Sequence, residues 1–427
     1  IKVIIPVILV LMVFSCAFLQ ETGSDWRRMK TFATESTAIT EPILSHEGAQ
    51  VNTFHCEEPP KVFLESISFN HDKNDNSGAD AINIRKNFNE PVHIPEWERG
   101  EKPFPAAYII NNNITIVARF SINKSVKFDT KIWAETIIGE LGYVEEKIVK
   151  FRDGKSGPIP FNVFGTTPGK ITSFFQQWRW YFKDLNDDDS LPMEIGDSKN
   201  KLYVILAEPQ SPWKTSGQTE PWTDALDWSC KWANCETTPE GAAGKITKAL
   251  FKTIGGLYDT LEGRARYTDL DRTDGEGAPF ALTNFIDYFP KVGVVNCNDM
   301  GKSLVTFSNV VGCGMSYQKV YYSGIYLNCI NAIGRGWTNN PFYELSGHPP
   351  ILGRDWGYSS GRTSFSYHTF GSISCNVFDA SLTVDTDSSP DCPPYTETWM
   401  INQPWDRYKK RLIDRYPNPV KIAFDIY

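Results

Sequence analysis

Short runs of β-branched and aromatic residues recur between about residue 57 and residue 208, and turn-forming residues separate them. The runs are Val62–Phe69, Ala106–Ile110, Thr115–Phe120 and Lys201–Ala207. The turn formers between them include Asn111-Asn112-Asn113, Asp153-Gly154 and Thr167-Pro168-Gly169. Repetition of short strands and turns is typical of antiparallel β domains. Residues 57–210 are therefore predicted to form a β-sandwich of the immunoglobulin-like kind, although the Cys…Trp…Cys spacing of true immunoglobulin domains is absent.

The spacing of apolar residues changes from a strand-like to a helix-like pattern after Pro221. An aromatic run, Phe174–Phe182, is predicted to be a buried strand or an interdomain seam, with a sugar-binding platform as the alternative. Pro209–Pro221 is predicted to be a linker. Apolar residues then recur at helical spacing, and Thr238 followed by Pro239 is a typical N-cap and first helical position. The second half is predicted to be α+β.

Composition excludes several classes of protein. The 427 residues are 41% hydrophobic and 22% charged, so the chain can bury a core and is not predominantly disordered. The formal net charge is −8, and the sequence contains no Lys- or Arg-rich run. Nucleic acid is therefore not expected as a partner, because binding it requires positive charge along the phosphates. The six histidines form no tract, which argues against metal storage.

The first residues resemble an export signal. Val3–Phe14 is a 12-residue apolar run, whereas a membrane-spanning helix needs about 20 residues. The run fits the apolar core of a secretory signal, and Val13-Phe14-Ser15-Cys16 resembles a bacterial lipoprotein processing site with Cys16 as the lipidated residue. An ordinary secretory signal cut further along is the alternative. Residues 17–56 are polar and are predicted to be a tether that follows the signal peptide, 1–16.

Export determines what the other cysteines are expected to do. They are Cys56, Cys230, Cys235, Cys297, Cys313, Cys329, Cys375 and Cys392. In an oxidising compartment most of them should pair, and Cys230 with Cys235 could close a local loop. None of the spacings typical of zinc sites is present.

One cysteine lies in a position suited to chemistry. Met300, Leu304, Phe307 and Val311 lie on one helical face, and Gly312 is a natural stop for that helix. Asn296 is a good N-cap, and Asp299 resembles the return half of a capping box. Cys297 then lies in the first turn, where unpaired N–H groups and the helix dipole favour a thiolate and could also hold an oxyanion.

A nucleophilic cysteine needs a histidine and a group that orients it. Phe365–Phe370 and Cys375–Ala380 are predicted strands, with Gly371–Ser374 as the turn. Any even-length loop puts His368 and Asp379 on the same face, and a two-residue Ile373-Ser374 turn places them opposite each other, about 5 Å apart at Cβ. An odd-length loop would put them on opposite faces.

A helix-opening cysteine, then a histidine on a strand, then an aspartate on the next strand, is an order that resembles the transglutaminase-like superfamily. Asn296–Met300 and Val377–Leu382 are similar to its cysteine and aspartate motifs, and the predicted helices upstream resemble its lead-in helices. The resemblance covers about residues 211–400. It implies a papain-like core with a Cys-His-Asp triad that acts on amide bonds without metal or cofactor, and its known members include peptidases, deglycosylases, cross-linkers and inactive forms.

The resemblance implies that Cys297 is the nucleophile, His368 the general base and then acid, and Asp379 the orienting carboxylate. His368 follows Cys297 by 71 positions, and the long segment between them is predicted to form a rim or lid. Arg335 and Trp337 are possible substrate-rim residues, with plain loop packing as the alternative. Trp222 and Trp228 are candidates for the side-chain oxyanion donor, whose place no motif marks.

Rival assignments remain open at this stage. Cys297 could be half of a disulfide, and His348 is a second candidate base, although a surface-loop histidine is the simpler interpretation. Asp385 and Asp387 are rival orienting acids, for which a solvated turn is the simpler interpretation.

The sequence predicts an exported protein of the bacterial cell envelope, held to the membrane only by an N-terminal lipid. The β-sandwich of residues 57–210 precedes a transglutaminase-like domain, 211–427. The predicted activity is cysteine-dependent acyl transfer on peptide, protein or cell-wall substrates, by hydrolysis or transamidation. A peptidoglycan-directed amidase is one form of it. The alternative is a non-catalytic envelope protein that binds glycan or protein through its β-domain and loops.

Overall fold

The computed structural model describes residues 60–71, 80–124, 127–185, 189–259, 263–269, 277–321, 327–328, 330–338, 366–386, 398–413 and 419–427. Residues 59–427 form one compact unit. The described residues contain both helices and strands, with more strand than helix, which confirms the α+β class. The predicted signal segment with Cys16, and the tether at residues 17–56, lie outside the described residues.

The first half of the compact unit is one large sheet. Its strands are β1 (Val62–Ser68), β2 (Trp97–Glu98), β3 (Ala106–Ile109), β4 (Asn113–Ile122), β5 (Phe128–Ile138), β6 (Val144–Phe151), β7 (Ile159–Thr166), β8 (Thr172–Asp184) and β9 (Met193–Ile205). Their order in the sheet is β2-β1-β4-β7-β6-β5-β8-β9-β3, and β3–β9 is the parallel pair among otherwise antiparallel neighbours. All four of the runs predicted from the sequence lie largely within strands, namely β1, β3, β4 and β9.

The sheet curls around its own core. Strands β7 and β8 are separated by β6 and β5, a path of about 14 Å at ~4.8 Å between neighbouring strands. Yet the rings of Phe161 on β7 and Trp180 on β8 have centroids 5.7 Å apart, and Phe120 on β4 lies 5.6 Å from Trp180. The aromatic run Phe174–Phe182 is part of β8, and its Trp178 and Trp180 are fully buried. This confirms the prediction of a buried strand.

Helices dominate the next segment. They are α1 (Thr223–Trp232), α2 (Pro239–Lys248), which continues as a π-helical turn over Ala249–Thr253, α3 (Leu282–Val292) and α4 (Cys297–Asn309). Strands β10 (Leu257–Tyr258) and β11 (Val294–Val295) form a short parallel pair. Thr238 caps α2 by accepting from the N–H of Gly241, with Pro239 at the first helical position. The predicted start of α2 is therefore confirmed.

The remaining elements are the strands of two small sheets and a helix. They are β12 (Ser316–Tyr321), β13 (Ile330–Ala332), β14 (Gly336–Thr338), β15 (Tyr367–Ile373), β16 (Asn376–Phe378), β17 (Leu382–Asp385), β18 (Thr398–Trp399), β19 (Ile401–Pro404), α5 (Trp405–Leu412) and β20 (Val420–Lys421). Among the described residues, one sheet has the order β19-β16-β15-β12-β20 and the other has the order β14-β13-β17-β18.

Helix α4 is the centre of this half, because all thirteen of its residues are buried. The large sheet packs against its end: the N–H of Leu206 donates to the carbonyl of Val311 over 3.1 Å. Gly312 allows this approach, since its φ is +82° and a Cβ there would lie 2.4 Å from the Ala207 oxygen. In the segment predicted to be a linker, Trp213 is buried and its indole N–H donates to Thr306 of α4. That segment therefore packs on the helix.

Candidate active site

Cys297 opens helix α4, as its sequence context predicts. The side-chain oxygen of Asn296 accepts from the N–H groups of Asn298 (2.9 Å) and Asp299 (3.2 Å), and the Asp299 carboxylate reaches back to the Asn296 N–H. This confirms the capping box. Asn296 thus occupies the second and third N–H groups of the helix, while the N–H of Cys297 itself is not used by the cap. The Cys297 residue is 3% exposed and its thiol is free.

His368 and Asp379 meet on a tight hairpin. Strands β15 and β16 pair with Gly371 opposite Phe378, and the turn between them consists of Ser374 and Cys375. This two-residue turn falls one residue later than predicted. Its even length keeps His368 and Asp379 on one face, but diagonally across from each other. Nε2 of His368 lies 2.6 Å from Oδ2 of Asp379, and both residues are fully buried.

Asp379 is surrounded by hydrogen-bond donors. Its Oδ1 accepts from the N–H and hydroxyl of Ser381, both at 2.8 Å, and from the N–H of Leu382 at 3.0 Å. Its Oδ2 accepts from His368 and from the Tyr408 hydroxyl at 2.5 Å. Burial by itself would raise the pKa of Asp379, but the charge and hydrogen bond of His368, with the other donors, hold that pKa below its usual range. The residue is therefore a carboxylate at neutral pH.

The imidazole of His368 links Asp379 to Cys297. A carboxylate can only accept, so Nε2 carries the proton shared with Asp379, and Nδ1 is left as the nitrogen available to Cys297. Burial by itself would lower the pKa of His368. The charge and hydrogen bond of Asp379, together with the hydrogen bond to Cys297, outweigh burial and raise that pKa. The arrangement favours an imidazolium next to the sulfur.

Tyr258 also contacts the sulfur, and no motif in the sequence predicts this contact. Its side chain is 1% exposed and hydrogen-bonds to Cys297. Burial first, and then the charge and hydrogen bond of Cys297, raise the pKa of Tyr258 well above its usual value, so the phenol keeps its proton. The parallel pairing of β10 with β11 places Tyr258 beside Val295, two residues before Cys297. Its backbone is fixed as well, because its N–H donates to Ile333 (3.0 Å) and its carbonyl accepts from Arg335 (3.0 Å).

Two further tyrosines lie beside the start of α4. The hydroxyl of Tyr317 donates to the Asn298 side-chain oxygen over 3.0 Å, and the Asn298 amide donates to the Tyr367 hydroxyl over 2.7 Å. Burial, followed by the charge of Cys297, raises the pKa of Tyr367. Two neutral hydroxyl groups thus hold the side chain of Asn298, the residue that follows Cys297.

The tryptophans considered as oxyanion donors lie in other contacts. The indole N–H of Trp222 donates to the Gln218 carbonyl over 2.9 Å, and Trp228 stacks on Phe307 at 5.4 Å. Arg335, a predicted rim residue, reaches the site through the Tyr258 carbonyl, whereas Trp337 lies on β14 opposite Asn331.

Of the rival site residues, Asp385 lies within the described part of the chain. Asp385 is fully buried in β17, so the expectation of a solvated turn was wrong at that residue, where strand pairing with Thr398 overrides the local turn signal. His348, Asp387 and most of the predicted rim lie outside the described residues. Five cysteines of the described part are free thiols, namely Cys230, Cys235, Cys297, Cys313 and Cys375. Cys230 and Cys235 therefore do not form the suggested local disulfide.

The described residues contain no candidate metal site and no candidate membrane-spanning helix. No group of three or more His, Cys, Asp or Glu side chains in these ranges could hold a metal ion. No helix there is long and apolar enough to cross a membrane.

No protein-family model and no curated protein matches this chain. Among solved structures, part of the chain is similar to a Niemann-Pick type C2 protein from the Japanese carpenter ant. The identity is 12%, the alignment covers 30% of this chain and 97% of that one, and the TM-score is 0.15. A likeness at that level carries no argument about fold or function.

Proposed function

We propose that this chain is an exported, cysteine-dependent acyl-transfer enzyme of the transglutaminase-like type, in which an immunoglobulin-like β-sandwich precedes a papain-like catalytic domain. The observation that carries the proposal is the buried chain of contacts from Asp379 through His368 to Cys297 at a helix N-terminus. Two of these groups come from a hairpin and one from a helix far upstream. Each has the environment that its role needs: a carboxylate rich in donors, an imidazole with a raised pKa, and a free thiol.

The first half of the reaction forms a thioester. The Cys297 thiolate attacks an amide carbonyl carbon, and the carbonyl oxygen becomes an oxyanion. Protonated His368 then gives its Nδ1 proton to the leaving nitrogen, the C–N bond breaks, and an amine departs. Asp379 keeps the ring oriented and stabilises its charged form throughout, without itself taking the proton.

The second half returns the enzyme. Water, or a second amine, attacks the thioester carbonyl while neutral His368 takes its proton, and the sulfur leaves as a thiolate beside the re-formed imidazolium. Hydrolysis is the favoured outcome, because water is abundant and no sequence motif marks a dedicated amine site. The substrate is a peptide, a protein or the peptide part of a cell wall. No step calls for a metal or cofactor.

Tyr258 and the Cys297 N–H supply the oxyanion donors in this mechanism. The hydroxyl of Tyr258 keeps its proton, already points at the sulfur, and has a backbone held on both sides. The oxyanion forms two bonds away from the sulfur, on the carbon that the sulfur attacks, so a donor fixed beside the sulfur is placed to meet it. Preorganised donors of this kind are often the largest single contribution to catalysis of acyl transfer.

The test is the reactivity of the thiols of the native, unreduced protein towards iodoacetamide, followed residue by residue with mass spectrometry. Near pH 6 an ordinary thiol, with a pKa of about 8.5, is almost wholly protonated and reacts slowly. Cys297 should nevertheless react faster than Cys235 and Cys375, the exposed thiols that serve as internal controls. Replacing His368 with Ala should remove that advantage. A wild-type Cys297 slower than both controls contradicts the proposal.

A second candidate function rests on the surface of the large sheet. Tyr143 and Phe164 stack at 4.1 Å and are 50% and 47% exposed. Exposed paired rings of this kind suit the binding of glycan or protein by a non-catalytic envelope protein. Co-sedimentation with purified cell wall separates the two functions. Loss of binding in Tyr143→Ala, together with an unreactive Cys297, favours the second.

A further inference from the structure

A buried lysine lies on the strand that pairs with the strand of His368. Lys319, on β12, is only 8% exposed. Its ammonium lies 4.3 Å from the ring centre of Tyr367 and 4.8 Å from that of Tyr321. No carboxylate of the described residues forms an ion pair with it. Two rings offset part of the cost of removing an ammonium from water, but cation–π contacts are weaker than pairing with an anion.

The strand register places this lysine next to the catalytic hairpin. Strand β12 pairs with β15 so that Val320 lies opposite His368, and Lys319 opposite Thr369. Lys319 and Tyr367 therefore share the face of the sheet that α4 covers. On that face a Cβ on Gly301 would lie only 3.1 Å from the Thr369 hydroxyl, which shows how closely the helix packs. Tyr367 in turn is hydrogen-bonded to Asn298, the residue that follows Cys297.

The local charge is positive around this point. Lys302 of α4 is also buried; its ammonium donates to the Ala278 carbonyl and lies 5.6 Å from the Tyr317 ring. The nearby acid, Asp299, accepts from the backbone N–H groups of Arg266 and Tyr267 and closes the helix cap. Burial lowers the pKa of Lys302 to about 7, and the charges of Asp299 and Lys319 act on that pKa in opposite directions. Near pH 6 the two lysines therefore contribute positive charge near Asp299, whose oxygens already accept several hydrogen bonds, and such a distribution attracts an anion.

We propose that Lys319, between the rings of Tyr321 and Tyr367, is an anion subsite that binds a carboxylate of the substrate next to the amide attacked by Cys297. The inference rests on the proposed function, since it names the substrate class for that site: a peptide with a free carboxylate close to the scissile amide. The carboxylate would supply the counter-ion that the described residues do not give Lys319. The rings of Tyr321 and Tyr367 would keep the Lys319 ammonium in position.

The experiment compares two alkylating reagents of nearly equal size, neutral iodoacetamide and anionic iodoacetate, on Cys297 of the full chain near pH 6. The quantity measured is the ratio of the iodoacetate rate to the iodoacetamide rate. Replacing Lys319 with Met keeps most of the buried stem and removes the charge. We expect the ratio to fall roughly fivefold, because a positive charge that attracts the anionic reagent is lost. The iodoacetamide rate itself should change little.

Two further variants separate charge from packing. Lys319→Arg keeps a cation over the rings and should restore the ratio, while a merely structural role of the lysine would not distinguish Arg from Met in this way. Lys199 lies 4.7 Å from the ring of Phe175 on the exposed sheet, and Lys199→Met is the matched control that should leave the ratio unchanged. A ratio unaffected by Lys319→Met overturns the subsite while leaving the proposed function standing. An unreactive Cys297 with iodoacetamide overturns both.

Discussion

Two regions of this molecule each bury a carboxylate almost completely, and the pKa values of the two carboxylates shift in opposite directions. In the large sheet, Glu96 is 2% exposed and accepts from the N–H groups of Phe69 (2.8 Å) and Asn70 (3.0 Å). Burial raises the pKa of Glu96 to about 7 in spite of those bonds, and the charge of Asp80 adds to the effect. At the candidate site, Asp379 is more buried still, yet its pKa is lowered.

The difference lies in what accompanies each carboxylate. Glu96 accepts from two backbone N–H groups at the end of β1 and forms no ion pair with any described residue, so it behaves as a structural cap. Asp379 has His368 as a charged partner and three further residues as donors. Burial alone therefore does not mark a catalytic group. An ion pair that survives burial, and that leads on to a nucleophile, is the distinguishing feature.

The largest expected effect is loss of the Asp379 charge. In Asp379→Asn, whichever carboxylate oxygen is replaced, the amide N–H₂ would face groups that now donate to that oxygen. The imidazolium of His368 would also lose its counter-charge. We expect the rate of Cys297 alkylation near pH 6 to fall by about 100-fold or more. Glu96→Gln, the same chemical change in the sheet, should leave that rate unchanged. Equal losses in the two variants would mean that the comparison reflects general destabilisation.

The second prediction concerns stability and pH. The folded pKa of Glu96 is about 7 and its unfolded value is 4.5, so the native state keeps this proton to higher pH than the unfolded state. The ionised form is the costly one. The contribution of Glu96 to the free energy of unfolding therefore falls as pH rises from about 4.5 to 7, by about 3 kcal/mol in total.

Chemical denaturation of wild type and Glu96→Gln at pH 4.5 and pH 8 measures this contribution. The stability of the variant relative to wild type should rise between the two pH values. For Asp379 the sign is opposite: its folded pKa is depressed, so its stabilisation is present above the unfolded pKa and is lost as pH falls through the folded one. A pH-independent difference between wild type and Glu96→Gln contradicts the role given to burial.

The sequence predicted the parts of the site that depend on local pattern. Asn296, Asp299 and Gly312 define the ends of α4 through capping and turn chemistry, which neighbouring residues determine. The hairpin was predicted with its turn one residue early, because Ser374 and Cys375 both adopt positive φ, of 50° and 66°, without the Asn-Gly signal typical of such turns.

Tyr258 could not be predicted in the same way. It lies in a two-residue strand, and only the parallel pairing with β11 brings it to Cys297. Gly256, just before that strand, packs closely on Ile333, where a Cβ would lie 2.5 Å away, but no sequence pattern around Tyr258 marks the pairing. The donors of Asp379 likewise include Tyr408, from a helix that no motif connects to the hairpin. Long-range contacts of this kind leave no local signal in a single sequence.

The third prediction removes the Tyr258 hydroxyl. Tyr258→Phe should slow hydrolysis of an activated ester such as p-nitrophenyl acetate by about 10- to 100-fold, because one oxyanion donor is lost. Iodoacetamide alkylation forms no oxyanion, so its rate should change far less. Tyr108→Phe in the sheet removes an equally buried hydroxyl, which donates to Phe69 over 3.5 Å, and should affect neither rate. Equal slowing of both reactions by Tyr258→Phe would assign the hydroxyl to the thiolate alone.

The smallest expected effect is at the helix cap. Asn296→Ala removes the oxygen that accepts from Asn298 and Asp299, and we expect it to lower the free energy of unfolding by about 1 kcal/mol. Thr238→Ala at the start of α2 removes a comparable cap, on Gly241, and should cost a similar amount. Only the first change loosens the turn that holds Cys297, so only Asn296→Ala should slow its alkylation, by a factor of about 3 to 10. If Thr238→Ala slows alkylation equally, global stability and not the local helix terminus controls the thiol.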